Sequence, residues 1–302
     1  MEKRSSGSRF RLAILASISY CTIYGFSFMF SRIALMNTSA DMLLAIRFTA
    51  AMLAMLLLML TGRFTIDLKG KPVGRFLLLG LCQPVVYFIA ETSGIQYTNS
   101  SFAGLMISLI PVVTVVLSSV FLHDRLILRV IGWILCSVVG VGIISSAQTS
   151  SGSIQIRGIL YLLIAVISAA VFYLISRSVA DAFTPFERTF IMMVMGFVFF
   201  AGKAAVQEGS DFLPLFKAGL SDPGVMLPVL YLSVVSSVIA FLLQNYAITY
   251  LDVATCTVFE NIIPIVSVAA GVLFLGEPFS PLQAAGIALI LLGVWKVSTS
   301  QS

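Results

Sequence analysis

An apolar run from Val253 to Leu275 constrains the fold of this chain more than any other feature. A helix needs about 20 apolar residues to cross the roughly 30 Å hydrocarbon core of a bilayer, and this run is long enough. It nevertheless contains Glu260 and Asn261, with Pro264 one turn later. A carboxylate near the middle of a bilayer costs on the order of 2.5 to 3.5 kcal/mol. We therefore expect a membrane-spanning helix that carries a functional residue.

The composition of the whole chain is typical of a multi-pass membrane protein. Of its 302 residues, 59% are hydrophobic and only 10% are charged, and the mean hydropathy is +1.05. Because apolar runs recur along the chain, we predict an all-α polytopic membrane protein with ten transmembrane helices. The predicted spans are about 12–35, 42–60, 73–95, 100–122, 130–147, 158–180, 186–206, 225–247, 253–275 and 281–297.

The second half of the chain repeats features of the first half. At an offset of 153 residues the matched pairs are Ile95 and Ile248, Tyr97 and Tyr250, Pro111 and Pro264, and Gly140 and Gly293. Nearer the amino terminus, Ser31-Arg32 matches Ser176-Arg177 at an offset of 145. Transporter folds are often built from such duplications. We predict two five-helix repeats, residues 1–148 and 149–302, which form one membrane domain, and the odd number of helices inverts the second repeat.

Basic residues predict the orientation. Segments 1–11, 61–75 and 123–129 contain ten Lys and Arg residues, whereas segments 37–41 and 96–99 contain none. Loops rich in Lys and Arg stay in the cytoplasm. With ten helices, both termini are then cytoplasmic, and we expect the protein in the cell membrane, that is, the plasma or inner membrane. In the second half Lys203 and Lys217 fall on the outer face, so the first half must set the topology.

Several predicted helices carry a narrow stripe of polar and aromatic residues. In lipid these faces must look inward, because a hydroxyl or amide that faces acyl chains has no partner. A single serine or threonine in such a stripe can simply join helices, but the stripes together favour a polar cavity. The candidate substrate-binding residues are Tyr20, Tyr24, Gln83, Tyr87, Glu91, Phe172, Gln244, Glu260 and Asn261.

Short motifs in both halves resemble the EamA-type transporters of the drug/metabolite transporter superfamily, over about residues 11–298. The second half carries Tyr250-Leu251-Asp252-Val253-Ala254, Pro264 and Gly276-Glu277-Pro278, and in the first half His123-Asp124 replaces the usual Gly-Glu. The resemblance implies export or exchange of small metabolites by alternating access. It also implies a central cavity lined by the first, third, fourth, sixth, eighth and ninth helices. We expect Pro111 and Pro264 to lie beside this cavity.

The charged residues inside the spans leave alternatives open. Arg47 and Glu91 lie at similar predicted depths, so they either form an ion pair between adjacent helices or contact the substrate. Glu260 has no matched partner at the repeat offset, which favours a role in binding a proton or a cationic group of the substrate. The alternative is that Arg188 or ordered water satisfies Glu260 permanently.

We therefore expect a secondary active transporter that exports small metabolites, such as amino acids or related aromatic or cationic compounds. The alternatives are a lipid or headgroup flippase, which a long lateral cleft would favour, and an organic-cation or drug efflux carrier. The chain has one histidine and no catalytic arrangement, so we do not expect an enzyme. The expected partners are the substrate, membrane lipids and protons as the coupling ion. We expect a monomer or homodimer, with no cofactor, metal or nucleic acid.

Overall fold

The computed structural model describes residues 2–62, 64–67, 69–71, 73–122, 128–149, 154–251, 255–256, 259–277 and 279–299. Throughout these ranges the regular secondary structure is helical, and no strand occurs in them. The helices are α1 (Glu2–Leu35), α2 (Ala40–Leu60), α3 (Val73–Gly80), α4 (Tyr87–Gln96), α5 (Ser100–Ile107), α6 (Ile110–Leu122), α7 (Leu128–Thr149), α8 (Ile156–Val179), α9 (Pro185–Glu208), α10 (Phe212–Ser221), α11 (Pro223–Leu230), α12 (Ala240–Tyr250), α13 (Ile262–Leu275) and α14 (Pro281–Thr299).

Two segments assigned as π-helical join shorter helices into longer rods, and the first of these rods is kinked at Gln83, which has a non-helical φ of −141° and ψ of 114°. The segment π1 (Leu81–Val86) joins α3 to α4, and π2 (Tyr231–Ile239) joins α11 to α12. Pro84 lies inside π1, and Pro228 lies in α11 just before π2. A proline removes one backbone donor and crowds the preceding turn, so a widened turn beside it relieves the clash. The sequence predicted these spans as helices but predicted neither the kink at Gln83 nor the π-helical turns.

Within the part of the chain that the structure describes, seven helical rods are long and apolar enough to cross a membrane. They are Ser8–Leu35, Ala40–Leu60, Leu77–Gln96, Ser100–Leu117, Ile156–Val179, Pro185–Ser221 and Pro223–Tyr250. Three shorter apolar helices are Ile131–Ile144, Ile262–Leu275 and Pro281–Lys296. The prediction of an all-helical protein with several membrane-spanning helices is thus confirmed. The ten-span inverted arrangement stays a prediction, because these three helices are shorter than a full crossing needs.

The two prolines of the duplicated motif both lie in the first turn of a helix. Pro111 is the second residue of α6, and Pro264 is the third residue of α13. The first turn is where a proline does least harm, because its missing N–H would have no partner there. The described helix α13 starts at Ile262, so Glu260 precedes the helix instead of lying within it. Part of the predicted start of this span, residues 253–254, lies outside the described ranges.

Equivalent arginines close equivalent helix ends in the two halves. Arg32 Nη1 donates to the carbonyls of Ile95, at 3.2 Å, and Gln96, at 3.4 Å. Arg177 Nη1 donates to the carbonyls of Ile248, at 3.0 Å, and Thr249, at 3.2 Å. Both arginines thus satisfy carbonyls near the carboxyl end of a helix, where cations are favourable. The two sets of contacts correspond residue by residue at the offsets found in the sequence.

The Gly276-Glu277 part of the closing motif joins α13 to α5. Gly276 ends α13 in the left-handed conformation, with φ of 63°. The Glu277 carboxylate then accepts hydrogen bonds from the backbone N–H groups of Ser100 and Ser101, both at 2.9 Å, and from their hydroxyls. A carboxylate is favourable at a helix amino terminus, where N–H groups lack partners. The motif therefore has a structural role at this end.

Glycines bring α7 and α14 into close contact. A Cβ added at Gly140 would lie 2.7 Å from the Gly286 carbonyl oxygen and 3.0 Å from the Ile290 backbone nitrogen. Small residues at such positions let helix backbones approach closely in membrane proteins. The close packing of α14 against α7 therefore requires that Gly140 has no side chain.

We expect Gly140→Ala to destabilise the protein by roughly 1 to 3 kcal/mol, because the added methyl group overpacks backbone that cannot move aside. Thermal unfolding in detergent measures this loss. The matched control is Gly142→Ala, because Gly142 lies in the same helix and has no atom within 4 Å of its added Cβ. Equal unfolding temperatures for the two variants would contradict the importance of this contact.

Candidate substrate-binding site

A narrow polar cavity lies between α1, α2, the π1–α4 rod, α5, α6, α8, the π2–α12 rod and the start of α13 with the residues just before it. Its polar lining residues are Tyr24, Ser27, Arg47, Gln83, Tyr87, Glu91, Tyr173, Ser236, Gln244 and Glu260. The space open to the centre of a water molecule is ≈ 20 Å³. A single water needs about 10 to 15 Å³ by this measure, so an organic solute fits only if the helices move apart.

Arg47 reaches this cavity from α2 and is held by the π2 segment. Its Nε donates to Ser237 Oγ at 2.8 Å, and its Nη2 donates to Ser236 Oγ at 3.2 Å. The guanidinium carbon lies 4.3 Å from the centre of the Phe88 ring, in a cation–π contact. The side chain is only 2% exposed. A buried arginine is thus oriented by two hydroxyl groups and an aromatic ring.

Glu91 lies on α4 one turn after Tyr87. Its Oε1 accepts a hydrogen bond from the Tyr87 hydroxyl at 3.2 Å, whereas Oε2 is buried without a hydrogen-bond partner. Arg47 and Glu91 line the same cavity but form no ion pair, and the salt bridges among the described residues are elsewhere. A direct salt bridge between the two residues is therefore not formed, because Ser236 and Ser237 take the guanidinium; the two charges still interact electrostatically across the cavity.

Glu260 lies opposite, immediately before α13. Its Oε1 accepts a hydrogen bond from the Tyr173 hydroxyl, and its Oε2 is buried without a hydrogen-bond partner. Arg188 does not reach it. The Arg188 guanidinium donates instead to Ser176, Asn245 and Thr249, in the contact between α8, α9 and α12. The alternative in which Arg188 satisfies Glu260 is therefore wrong.

A chain of hydrogen bonds connects Glu260 to the wall formed by α1. The Tyr24 hydroxyl donates to Gln244 Oε1 at 3.0 Å, and Gln244 Nε2 donates to the Tyr173 oxygen at 2.8 Å. Tyr173 then donates to Glu260. Three helices, α1, α12 and α8, are thereby tied to the residue that precedes α13.

Six of the nine candidate site residues line this cavity. They are Tyr24, Gln83, Tyr87, Glu91, Gln244 and Glu260. Their contact with a substrate stays a prediction. The other three lie next to the lining: Tyr20 touches the Tyr173 hydroxyl at 3.4 Å, Phe172 packs in the core beside Tyr173, and Asn261 is half-buried at the start of α13.

The sequence did not predict Tyr173 as a site residue. Tyr173 lines the cavity, whereas the sequence pattern indicated its neighbour Phe172. Both residues are aromatic neighbours on α8, and Phe172 continues the spacing of Ser168 and Ser176. The lining face instead contains Ala169 and Tyr173, four residues apart. This signal was available, since four residues are about one helical turn, but a small apolar residue does not reveal a polar face.

The expectation that Pro264 lies beside the polar cavity is wrong. Pro264 lines an apolar groove, together with Ile265, Leu273 and Phe279, which are largely exposed. Successive residues of a helix point about 100° apart, and here the preceding residue, Ile263, lines the polar cavity. In the first half Ile110 likewise lines the cavity, whereas Pro111 is buried and is not part of its lining.

Comparison with known proteins identifies related transporters. The sequence matches the EamA-like transporter family over residues 11–146 and again over residues 156–299. The uncharacterized transporter YcxC of Bacillus subtilis (strain 168) is 32% identical over 289 residues, which cover 93% of this chain and 91% of that protein. A probable terminal-alkyne amino-acid exporter of Streptantibioticus cattleyicolor is 24% identical over 232 residues, 76% of this chain and 74% of that protein.

A solved crystal structure shows the same fold. It superimposes with a TM-score of 0.60 and 18% sequence identity, and the alignment covers 96% of both chains. The family matches together span most of this chain, and the helical rods are long and apolar enough to cross a bilayer. The chain is therefore a multi-pass membrane protein that belongs to the EamA-like transporter family.

Proposed function

We propose that this protein exports amino acids or closely related zwitterions across the cell membrane by alternating access. The observation that carries the proposal is the charge distribution in the buried cavity. Among the described residues, Arg47 makes no direct salt bridge to a carboxylate in this cavity, and Glu91 and Glu260 make none to a cation. Buried charges are costly unless they are paired. A solute with a carboxylate at one end and an ammonium group at the other satisfies both kinds of charge.

Unused hydrogen-bonding atoms support an ammonium group in the solute. Gln83 Oε1, Glu91 Oε2 and Glu260 Oε2 are buried without hydrogen-bond partners, and all three residues line the cavity. Every one of these atoms is an acceptor when the carboxylates are ionised. A partner for them must supply N–H or O–H donors, and an ammonium group supplies three.

Aromatic rings form much of the remaining wall. Tyr24, Tyr87, Phe88 and Phe241 line the cavity, and Tyr24 and Phe241 meet edge to face with 5.6 Å between ring centres. Such walls suit an apolar or aromatic side chain. The narrow cavity then corresponds to a closed state, which widens when a substrate enters.

Alternating access is supported by the correspondence between the two halves. The equivalent arginine contacts at Arg32 and Arg177, and the cavity positions of Ile110 and Ile263, fit two inverted repeats, residues 1–148 and 149–302. Inverted repeats allow one half to rock against the other around a central site. The ten basic residues in the first-half loops support cytoplasmic termini in the cell membrane.

Two other functions compete with this proposal. A lipid flippase needs polar lining that is continuous with a lateral cleft, but the apolar groove of ≈ 390 Å³ at Pro264 has no lining residue in common with the polar cavity. An organic-cation carrier is the stronger rival, because the cavity contains two carboxylates and one arginine.

Ligand-induced thermal stabilisation of the purified protein tests the proposal. We expect L-phenylalanine, or another of the twenty amino acids, to stabilise the protein more than its des-amino or decarboxylated analogue, since only the zwitterion satisfies both charges. A ligand at 100 times its Kd adds about 2.7 kcal/mol of stability. Stronger stabilisation by 2-phenylethylamine or tetraethylammonium would favour the organic-cation carrier. Stabilisation by none of the amino acids would overturn the proposal.

A further inference from the structure

The hydroxyl of Tyr173 forms the junction between Glu260 and the opposite wall of the cavity. It donates to Glu260 Oε1 and accepts from Gln244 Nε2 at 2.8 Å, and the Tyr20 hydroxyl lies 3.4 Å away. A phenol has one proton to donate. Because the Gln244 amide nitrogen can only donate, the Tyr173 proton is directed to Glu260.

This geometry determines which oxygen of Glu260 remains for a ligand. Tyr173 occupies Oε1, and Oε2 is buried without a hydrogen-bond partner. Turning the carboxylate by rotation of its side chain would break the bond from Tyr173. Tyr173 therefore selects a single orientation of Glu260, in which Oε2 is the acceptor that stays open.

The orientation of Tyr173 is itself determined from the α1 side. The Tyr24 hydroxyl donates to Gln244 Oε1 at 3.0 Å, which leaves the Gln244 amide nitrogen to donate to Tyr173. If the Gln244 amide were flipped, its oxygen would face the Tyr173 oxygen. The single Tyr173 proton could then not be donated to both Gln244 and Glu260. The side chains on α1 and α12 thus determine how the carboxylate before α13 is presented.

We propose that Tyr173 is a positioning residue that presents Glu260 Oε2 to the ammonium group of the substrate, and that it thereby makes the site selective for solutes with an amino group. The inference rests on the proposed function, because it assumes a zwitterion in the cavity. It goes further because it assigns recognition of the amino group to Glu260 Oε2. It also assigns the orientation of that oxygen to Tyr173, which need not touch the substrate.

The test compares two ligands in Tyr173→Phe, which removes the hydroxyl and keeps the ring. L-phenylalanine carries the amino group, and 3-phenylpropanoate lacks it but is otherwise matched. We expect the Kd for L-phenylalanine to rise about tenfold, as for loss of one hydrogen bond that orients a charged group. The Kd for 3-phenylpropanoate should stay the same. Isothermal titration of the purified protein measures both, and a general loss of packing would weaken both ligands equally.

Tyr161→Phe is the matched control. Tyr161 lies on the same helix, α8, and stacks on Tyr97, but it is not part of the cavity lining, so removal of its hydroxyl leaves the bonds from Tyr173 to Glu260 and from Gln244 to Tyr173 intact. We expect wild-type discrimination between the two ligands in this variant. Gln244→Met provides a second route to the test, because it removes the donor to Tyr173, and it should reduce binding of L-phenylalanine selectively as well.

A double-mutant cycle adds an independent readout. In a Glu260→Gln background, Tyr173→Phe should cause no further loss of L-phenylalanine binding, because the two residues act through one contact. Equal losses for both ligands, or additive losses in the cycle, would overturn the positioning role while leaving amino-acid binding by the wild type in place. Absence of binding of any amino acid by the wild type would instead overturn the proposed function, and the inference with it.

Discussion

Glu260→Gln is expected to abolish proton-driven transport and to weaken substrate binding, because it also removes the carboxylate that meets the ammonium group, so that passive exchange persists only at raised substrate concentration. The glutamine keeps the shape of the side chain, and its amide can still meet Tyr173, but it cannot bind and release a proton. Glu260 is suited to this task because it is 2% exposed, has no cationic partner and leaves Oε2 without a hydrogen-bond partner. A carrier that protonates this group on one side of the membrane and deprotonates it on the other couples the two fluxes.

Proteoliposomes with an imposed pH gradient measure the effect. We expect gradient-driven accumulation of L-phenylalanine in the wild type and none in Glu260→Gln, whereas exchange of labelled for unlabelled substrate persists at equal pH and saturating substrate concentration. Asp211→Asn is the control, because Asp211 is an exposed carboxylate outside the cavity. Wild-type rate and pH dependence in Glu260→Gln would contradict the proposal, and Glu91 would then become the candidate coupling group.

The sequence predicted much of the helical framework and part of the site. Long apolar runs identify membrane spans because the bilayer requires a minimum length. Inward-facing polar residues are recognisable because lipid cannot satisfy them. These two constraints act on single helices, so they can be applied without coordinates. They were sufficient to select Tyr24, Gln83, Tyr87, Glu91, Gln244 and Glu260, which lie around one cavity.

The remaining features depend on local departures from regular helix geometry. The π2 segment places both Ser236 and Ser237 against the Arg47 guanidinium, whereas a stripe drawn with regular α-helical spacing selects only Ser237. The extra residue in a π-helical turn shifts the positions that follow it. Whether Phe172 or Tyr173 lines the cavity likewise depends on the rotation of α8 about its axis, because neighbouring residues of a helix point about 100° apart.

The sequence also could not show which groups the buried charged side chains contact. Equal predicted depth made an ion pair between Arg47 and Glu91 plausible, and Arg188 was an available cation for Glu260. The depth of a residue along its helix does not specify the side of the helix to which its side chain points. Each guanidinium donates instead to neutral oxygen atoms on another helix. As a consequence, the charged residues of the cavity make no direct salt bridge among the described residues, and this is the basis of the proposed zwitterion site.

Arg47→Met is expected to have opposite effects on two ligands. The Kd for L-phenylalanine should rise about 100-fold, since charge-assisted hydrogen bonds to a carboxylate contribute roughly 1.5 to 3 kcal/mol each. Binding of 2-phenylethylamine should instead become tighter, because a positive charge disappears from a cavity that still contains Glu91 and Glu260. Methionine fills a similar length beside Phe88, and Ser236 and Ser237 can donate to helix carbonyls, so folding should be preserved.

Arg47→Lys separates charge from geometry. Lysine keeps the positive charge but cannot hold Ser236, Ser237 and a carboxylate together, because it lacks the planar guanidinium. We therefore expect it to bind L-phenylalanine with an affinity between those of the wild type and Arg47→Met, and to bind 2-phenylethylamine as weakly as the wild type. Wild-type affinity for L-phenylalanine in Arg47→Met would place the carboxylate site elsewhere. A parallel loss for both ligands would mean that Arg47 supports the shape of the cavity and does not recognise a carboxylate.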